Sequence, residues 1–473
     1  MHRALSILDV LLEIFAHLDP SESLSIKPLY RSSLVALTTT CKIFYEPAMD
    51  VLWAHMDDYG ITPLLGCVPR LHPLMYPVDR QSSRFRPECV EPLSEQEACQ
   101  FLRHSARVRS FTASMWSFKH LNLLTTLPIN TCVFPRLLVL HVAATLADRE
   151  KHSLSSLFLS HVLRDSFHGL ENLHIGTFTV NTINGLHLLS ETVRSCKQLK
   201  HLECTLLDYA TWKHLSNLPT LATVKIDQGM YEVQLDRDSV NFATFLNLTS
   251  LKFHLRTATN IITLMQHSEF PSLKVFDIHV VTLSHAETEQ IFYALSQCEA
   301  YKTLEHIVLR SKSRNVQGTD ERSLPTATTQ LLRFTQLRIL KLSLDCPIIL
   351  DNHLLFEAMS RWPHIRSIEL QNTPLVTFRG LFAALRLCPD LHGLAIDIDA
   401  VNIDIDPEAE PFQHTSLQSL AVGSSKTEDP EAAARIIFSM LPSISHVDHD
   451  WNTSEWDEVN GQLESFRVSA VNV

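Results

Sequence analysis

Residues 270–278 read Phe-Pro-Ser-Leu-Lys-Val-Phe-Asp-Ile, and residues 362–370 read Trp-Pro-His-Ile-Arg-Ser-Ile-Glu-Leu. The phrase returns at Phe134-Pro135-Arg136-Leu137 leading to Leu140 and Val142, and at Cys388-Pro389-Asp390-Leu391 leading to Leu394 and Ile396. Phe334-Thr335-Gln336-Leu337, leading to Leu340 and Leu342, is a variant without proline. Each copy is apolar-x-x-apolar-x-apolar behind an aromatic or apolar residue. The closing alternation has period two, which is a short strand with one buried face. The copies begin at Val108, Leu137, Leu170, Leu199, Leu221, Leu248, Leu273, Leu304, Leu337, Ile365, Leu391, Leu417 and Ile444. These thirteen starts span 336 residues, about 28 residues per step.

Amphipathic helical segments lie between the strands. Leu154, Leu157, Phe158 and His161 share one face; Ile291, Phe292, Leu295 and Cys298 share another; Phe378, Leu381, Phe382, Leu385 and Leu387 belong to a third segment. Strand, turn and helix, repeated, predict an α/β solenoid with a curved parallel sheet inside and helices outside. The pattern resembles leucine-rich repeats of an irregular kind. Steps vary from 22 to 33 residues, and the asparagine that ladders regular repeats is mostly missing, Asn372 standing near that place in one copy. Another αβ solenoid, or a doubly wound domain, is the alternative. End repeats need covers, and Thr453–Arg467, with Trp456, Val459, Leu463 and Phe466 in its stripe, is the expected C-terminal one.

Composition narrows the function. The chain has 473 residues, 40 Lys+Arg, 52 Asp+Glu and a formal net charge of −12. An acidic chain disfavours a dedicated nucleic-acid binder, which needs a concentrated basic surface. Eleven glycines and no G-x-G-x-x-G or G-K-[ST] motif argue against phosphate-cradling loops. Ten cysteines form no C-x-x-C pair, so no zinc knuckle is expected. Cys196, Cys298 and Cys388 read as small buried hydrophobes. The apolar start is broken by Asp9, Glu13 and His17, unlike a signal peptide. No apolar run reaches the length of a membrane span. The expected setting is intracellular, cytoplasmic or nuclear, with no membrane partner.

Residues 5–18 read LSILDVLLEIFAHL. Leu8, Leu11, Leu12, Phe15 and Leu18 form one helical face, widened by Val10 and Ile14. Asp19-Pro20 stops that helix. A second helix is expected over about Ser32–Tyr45, striped by Leu34, Leu37, Cys41 and Phe44. A third is expected from Glu46-Pro47, with Pro47 in its first turn, to Leu52-Trp53. Three helices this short bury little alone, so an apolar patch should remain for a partner.

Leu5, Leu8, Leu11, Leu12, Ile14, Phe15, Leu18, Pro20, Leu37, Cys41, Phe44, Leu52 and Trp53 together resemble an F-box. The continuation through Asp57-Asp58 and Thr62-Pro63-Leu64-Leu65 looks like fungal F-box proteins with leucine-rich repeats behind the box. Leu5 is followed by Ser6 where F-boxes usually have proline, and the insert Ser21–Arg31 is longer than usual. The resemblance implies a three-helix module docking on the Skp adaptor of a cullin-RING (SCF) ubiquitin ligase, with those thirteen residues as partner-binding positions. It implies a substrate-receptor adaptor for protein ubiquitination without catalytic residues of its own. The alternative is a repeat scaffold not associated with a ligase, its first helices serving only as a cap.

The expected organisation is an F-box domain at 1–56, a proline-rich joint and N-cap at 57–105, a solenoid at 106–450, and a cap helix and tail at 451–473. Six prolines from Pro63 to Pro92 predict an irregular connector. Strand alternation puts His141, His174, Glu203, Lys225, Lys252, Asp277, Lys341 and Glu369 on the concave face, with His201, His254, His279 and His306. An open charged face suits recognition of a substrate protein better than catalysis, which needs an enclosed pocket. His446, Asp448, His449 and Asp450 read as a solvated strand end, and Asp397, Asp399, Asp404, Asp406, Glu408 and Glu410 as a solvated edge and loop. Residues 311–323, with Arg310, Lys312, Arg314 and Arg322, read as a loop. No metal, cofactor or catalytic set is expected.

Overall fold

The structure is a computed structural model. It describes residues 7–16, 27–56, 61–76, 90–113, 121–124, 127, 131–142, 164–176, 183–205, 207–227, 242–311, 329–344, 348–370, 375–407, 409 and 412–471. The chain divides into two compact units, one of Met1–Leu221 and Gly229–Val233, the other of Ala222–Gln228 and Gln234–Val473.

The first unit opens with α1 (Leu8–Ala16), α2 (Lys27–Thr40) and α3 (Lys42–Leu52). Leu11, Phe15, Leu34 and Ala48 form a small core, flanked by Leu37, Phe44, Val51 and Leu52. The rings of Phe15 and Phe44 meet edge to face at 6.1 Å, a favoured aromatic geometry. The boundary between the second and third helices lies earlier than the stripe predicts. Thr38, Thr39 and Thr40 turn their hydroxyls back to the carbonyls of Val35, Ala36 and Leu37, competing locally with helix propagation. Cys41 is then extended and starts α3. Pro47 therefore sits inside α3 and not in its first turn.

A parallel sheet follows: β1 (His55–Met56), β2 (Ser110–Ala113), β3 (Val139–Val142), β4 (Asn172–Ile175) and β5 (His201–Cys204), in sequence order. The first strand lies before the expected start of the array at residue 106. The expected joint also holds α4 (Thr62–Gly66), α5 (His72–Met75) and α6 (Glu95–Ser105). Its prolines do not forbid these helices, because Pro63 and Pro73 occupy first-turn positions, where the missing N–H costs nothing. Ser94 and Glu97 form a capping box on α6. Pro77 and Pro87 lie outside the described residues. Helices α7 (Ile183–Ser195) and α8 (Tyr209–Ser216) complete the unit. The expected helix at Leu154–His161 lies outside the described residues.

The second unit carries β6 (Thr223–Asp227), β7 (Ser250–Leu255), β8 (Val275–Val280), β9 (His306–Ser311), β10 (Ile339–Ser343) and β11 (Ser367–Leu370). The two-residue β12 (Val376–Thr377) leaves this sheet; β13 (Gly393–Ala395) continues it, followed by β15 (Ser419–Ala421) and β16 (Val447–Asp448). All of these neighbours are parallel. The short β12 pairs instead with β14 (Ile398–Asp399). Between strands lie α9 (Thr259–Gln266), α10 (His285–Gln297), α11 (Asn352–Arg361), α12 (Phe378–Leu385) and α13 (Pro430–Met440), and α14 (Glu455–Val471) ends the chain's described part. Each unit is thus α/β, with strands added one by one to a parallel sheet.

The recurring phrase has a structural explanation. The amide of Leu273 bonds the carbonyl of Phe270, and that of Leu391 the carbonyl of Cys388. These are one-turn closures with proline second, where its fixed φ fits and no donor is needed. All thirteen phrase-starting residues are buried. The next residue's carbonyl accepts two amides from the following repeat. Lys274 takes Glu305 and His306, and Arg338 takes Arg366 and Ser367, at 2.8–3.1 Å. Strands then alternate half-buried and buried positions, as in β8.

The last strand has an open edge, a general liability. Asn460 closes it by accepting from the Val447 amide at 2.8 Å and donating to its carbonyl at 3.0 Å. Arg467 donates to the carbonyls of Pro442 and Ile444. Trp456, Val459 and Leu463 of α14 are buried beneath, and the Trp456 indole N–H donates to the Ser425 carbonyl.

Candidate partner-binding surfaces

The N-terminal helices present a divided stripe. Leu11 and Phe15, expected to face a partner, are 1% and 2% exposed and hold the three helices together. Ile14, one residue away, is 43% exposed. Ile7 on the entry to α1, Val35 on α2 and Ile43 on α3 are also exposed. Each of the three helices, or the turn entering it, thus carries an exposed apolar side chain. Leu37, Phe44 and Leu52 are half-buried against the core. Cys41 is half-exposed at the helix boundary. The Trp53 ring lies 5.0 Å from that of His104. Leu8 and Leu12 belong to α1 but their side chains, like Leu5, Leu18 and Pro20, lie outside the described residues.

The three-helix module is fastened to the following repeats by charge. Arg107, after α6, donates to the carboxylates of Asp50 and Glu46 on α3 and to the Glu46 carbonyl. Arg136 adds a second cation 3.6 Å from Asp50. The Arg107 guanidinium holds the Glu46 carboxyl below the usual carboxylate range. Planar guanidinium binding two carboxylates fixes direction as well as distance. Sequence reading missed this clamp, since its members lie 57 and 61 residues apart.

Within each unit the residues that alternation set against the buried row are the less buried ones of their strands. In the first unit His141 and His174 are neighbours in register, with rings 5.3 Å apart. His174 Nδ1 stands 2.8 Å from Glu203 Oε2. Burial, then the neighbouring His174, pushes the His141 pKa down. In the second unit Lys225, Lys252 and Asp277 share one register row. Lys225 pairs with Asp227 at 3.3 Å and His254 with the same carboxylate at 2.9 Å. The rings of His254 and His279 are 4.7 Å apart, and His279 reaches Asp277 at 3.1 Å. Lys341 and Arg310 converge on Glu369 at 3.3 and 3.8 Å. His306 is pushed down, first by burial, with Arg338 and Lys252 adding to it. In the first unit His201 lies beside Asn172 and is exposed. Each unit's sheet thus shows a polar face of paired charges.

The other clusters are tied into the fold. Asp404 accepts from Thr377 Oγ1 at 2.6 Å and the Arg379 amide at 3.0 Å. Asp399 holds Asn402. Asp397 accepts from the Ser424 amide, and Gly423 beside it has φ 51°. A side chain there would meet Asp397 Oδ1 at 2.1 Å, so glycine is required on both counts. These acids stitch successive turns and are not simply a solvated edge. Asp406 lies on the same loop; Glu408, Glu410 and most of the 311–323 segment lie outside the described residues. His446 is 3.8 Å from Asp448, and His449 pairs with Asp457 at 3.2 Å. Among the described residues no group of three or more His, Cys, Asp or Glu is arranged to hold a metal. Burial pushes Cys196 and Cys388 up to about 12 and Cys298 up to about 11, which keeps the thiols protonated. No helix among the described residues is long and apolar enough to cross a membrane.

No family model matches the chain, and no curated protein matches it. Among solved structures, the chain is similar to one from the crystal structure of the Rad7 and Elc1 complex in yeast. The two are 13% identical with a TM-score of 0.39, over 90% of this chain and 90% of that one. A likeness at that score carries no functional weight.

Proposed function

We propose that this chain is a substrate-receptor adaptor of an SCF-type ubiquitin ligase. In this reading α1–α3 are an F-box that docks on the Skp adaptor, and the repeats bind a substrate protein. The observation that carries it is the surface of the N-terminal module. The three helices already bury Leu11, Phe15, Leu34 and Ala48 among themselves, yet leave Ile7, Ile14, Val35 and Ile43 in water.

The mechanism is positioning, and no catalytic step is assigned to the chain. Two binding surfaces on one chain raise the effective concentration of substrate at the ligase. That gain depends on a stiff junction, which the Arg107 clamp supplies between α3 and the first repeats. The paired charges of the sheet face favour selecting a partner by complementarity.

Co-expression of the intact chain with the Skp adaptor tests the reading, beside an Ile14→Asp/Ile43→Asp variant. Both positions are exposed, so the variant keeps its fold. The expected result is co-purification of the intact chain and its loss in the variant. Failure of the folded intact chain to bind contradicts the reading.

A further inference from the structure

Four tryptophans of the described residues are packed or partly covered: Trp456, Trp212 and Trp362 are buried, and Trp53 is half-buried. The fifth, Trp451, is 94% exposed. A large aromatic surface in water is unfavourable for folding, and tryptophan is the side chain most enriched at binding hot spots.

The turn that carries it is firmly held. The Asp450 amide bonds the Gly423 carbonyl at 2.9 Å, and the Asp450 carbonyl accepts from the Thr453 amide and hydroxyl at 3.1 and 2.8 Å. Thr453 itself is buried, and Trp456 anchors the next helix. Trp451 is thus displayed from a fixed turn between β16 and α14, so binding there immobilises little further chain.

Charge says what fits it. Between Arg435 and Arg467 the sequence holds six acids and no lysine or arginine. The acids are Asp448, Asp450, Glu455, Asp457, Glu458 and Glu464, all exposed. The two bounding arginines are engaged, Arg435 with Glu431 and Arg467 with backbone carbonyls. Asp397, which accepts from the Ser424 amide beside Gly423, is pushed up by burial, with Asp450 adding to it. An exposed indole on an acidic stretch of chain attracts a cation.

We propose that the Trp451 turn docks a lysine- or arginine-bearing segment of a partner protein, with the cation over the indole and Asp448 and Asp450 beside it. Anionic lipid headgroups and nucleic acid are repelled by the same carboxylates. The inference goes beyond the adaptor reading and is independent of what the N-terminal helices bind.

The test is a fluorescence-anisotropy titration of the full-length chain with a labelled tetra-arginine peptide, tetra-glutamate serving as control. Saturable, salt-sensitive binding of the arginine peptide is expected, with none of the control. Trp451→Leu should weaken it about fivefold, the factor a cation–π contact supplies. Trp451→Phe should restore part of the loss, and Asp448→Asn/Asp450→Asn should weaken binding with Trp451 intact. No binding to the intact chain overturns the proposal. So does unchanged affinity in Trp451→Leu, which would leave only diffuse charge attraction. Binding of tetra-glutamate overturns it as well.

Discussion

Ile14 and Phe15 are adjacent and have opposite environments, one 43% exposed and the other 2%. Phe15→Ala removes a ring from the small core and should cost about 3–5 kcal/mol of the module's stability. Ile14→Ala should stay within about 0.5 kcal/mol. Denaturant unfolding followed by circular dichroism separates them. The sequence stripe could not, because a wide apolar face marks both residues without saying which neighbour covers each. A second residue-scale test concerns Glu97. Its carboxyl is pulled from 4.5 to about 2, chiefly by the hydrogen bond from Arg70. A depressed folded pKa gives stability that is present above the unfolded value and lost as pH falls from about 4.5 toward 2. Glu97→Gln should therefore lower stability at neutral pH by under about 1 kcal/mol, since the pair is solvent-screened. The difference from the parent should close by the acid end of a pH series of melts.

At the scale of elements, strands were the most legible part. Period-two alternation behind an aromatic or apolar residue placed β8, β10, β11 and β13, and helical spacing placed the amphipathic faces of α10 and α12. What escaped was short or lacked a hydrophobic signature. The two-residue β1 is too short to show an alternation, and α4 and α5 carry their prolines in first-turn positions that a proline count alone does not separate from loops. The edge-closing Asn460 is a single polar residue whose partner lies 13 positions away. Asn460→Ala leaves both backbone groups of Val447 unpaired in a half-buried place and should cost about 1–3 kcal/mol. Hydrogen exchange at the Val447 amide should rise, and aggregation through the opened edge should follow. The Arg107 clamp is also long-range and electrostatic. Arg107→Ala should loosen α1–α3 from the repeats, read as faster exchange in α3 with β10 and β11 unchanged.

For the whole molecule, sequence sets the repeat class but not the partner. A stack of αβ repeats on parallel strands is stabilised by neighbours, so damage spreads locally. Leu340 is fully buried in β10. Leu340→Ala should cost about 2–5 kcal/mol, raising exchange in β9 and β11 well before β2 and β3. The exposed apolar side chains stayed unread because exposed and core apolar residues share one chemistry in the sequence. Only the fold shows which apolar side chains are left over.

The central claim is that these leftovers meet the Skp adaptor. Calorimetric titration of the purified full-length chain with that adaptor tests it most directly, with Ile14→Asp/Ile43→Asp and Trp451→Leu alongside. One-to-one binding by the parent and by Trp451→Leu is expected, with loss of binding in the folded double variant. Absence of binding by the folded parent, or undiminished binding by the double variant, would contradict it.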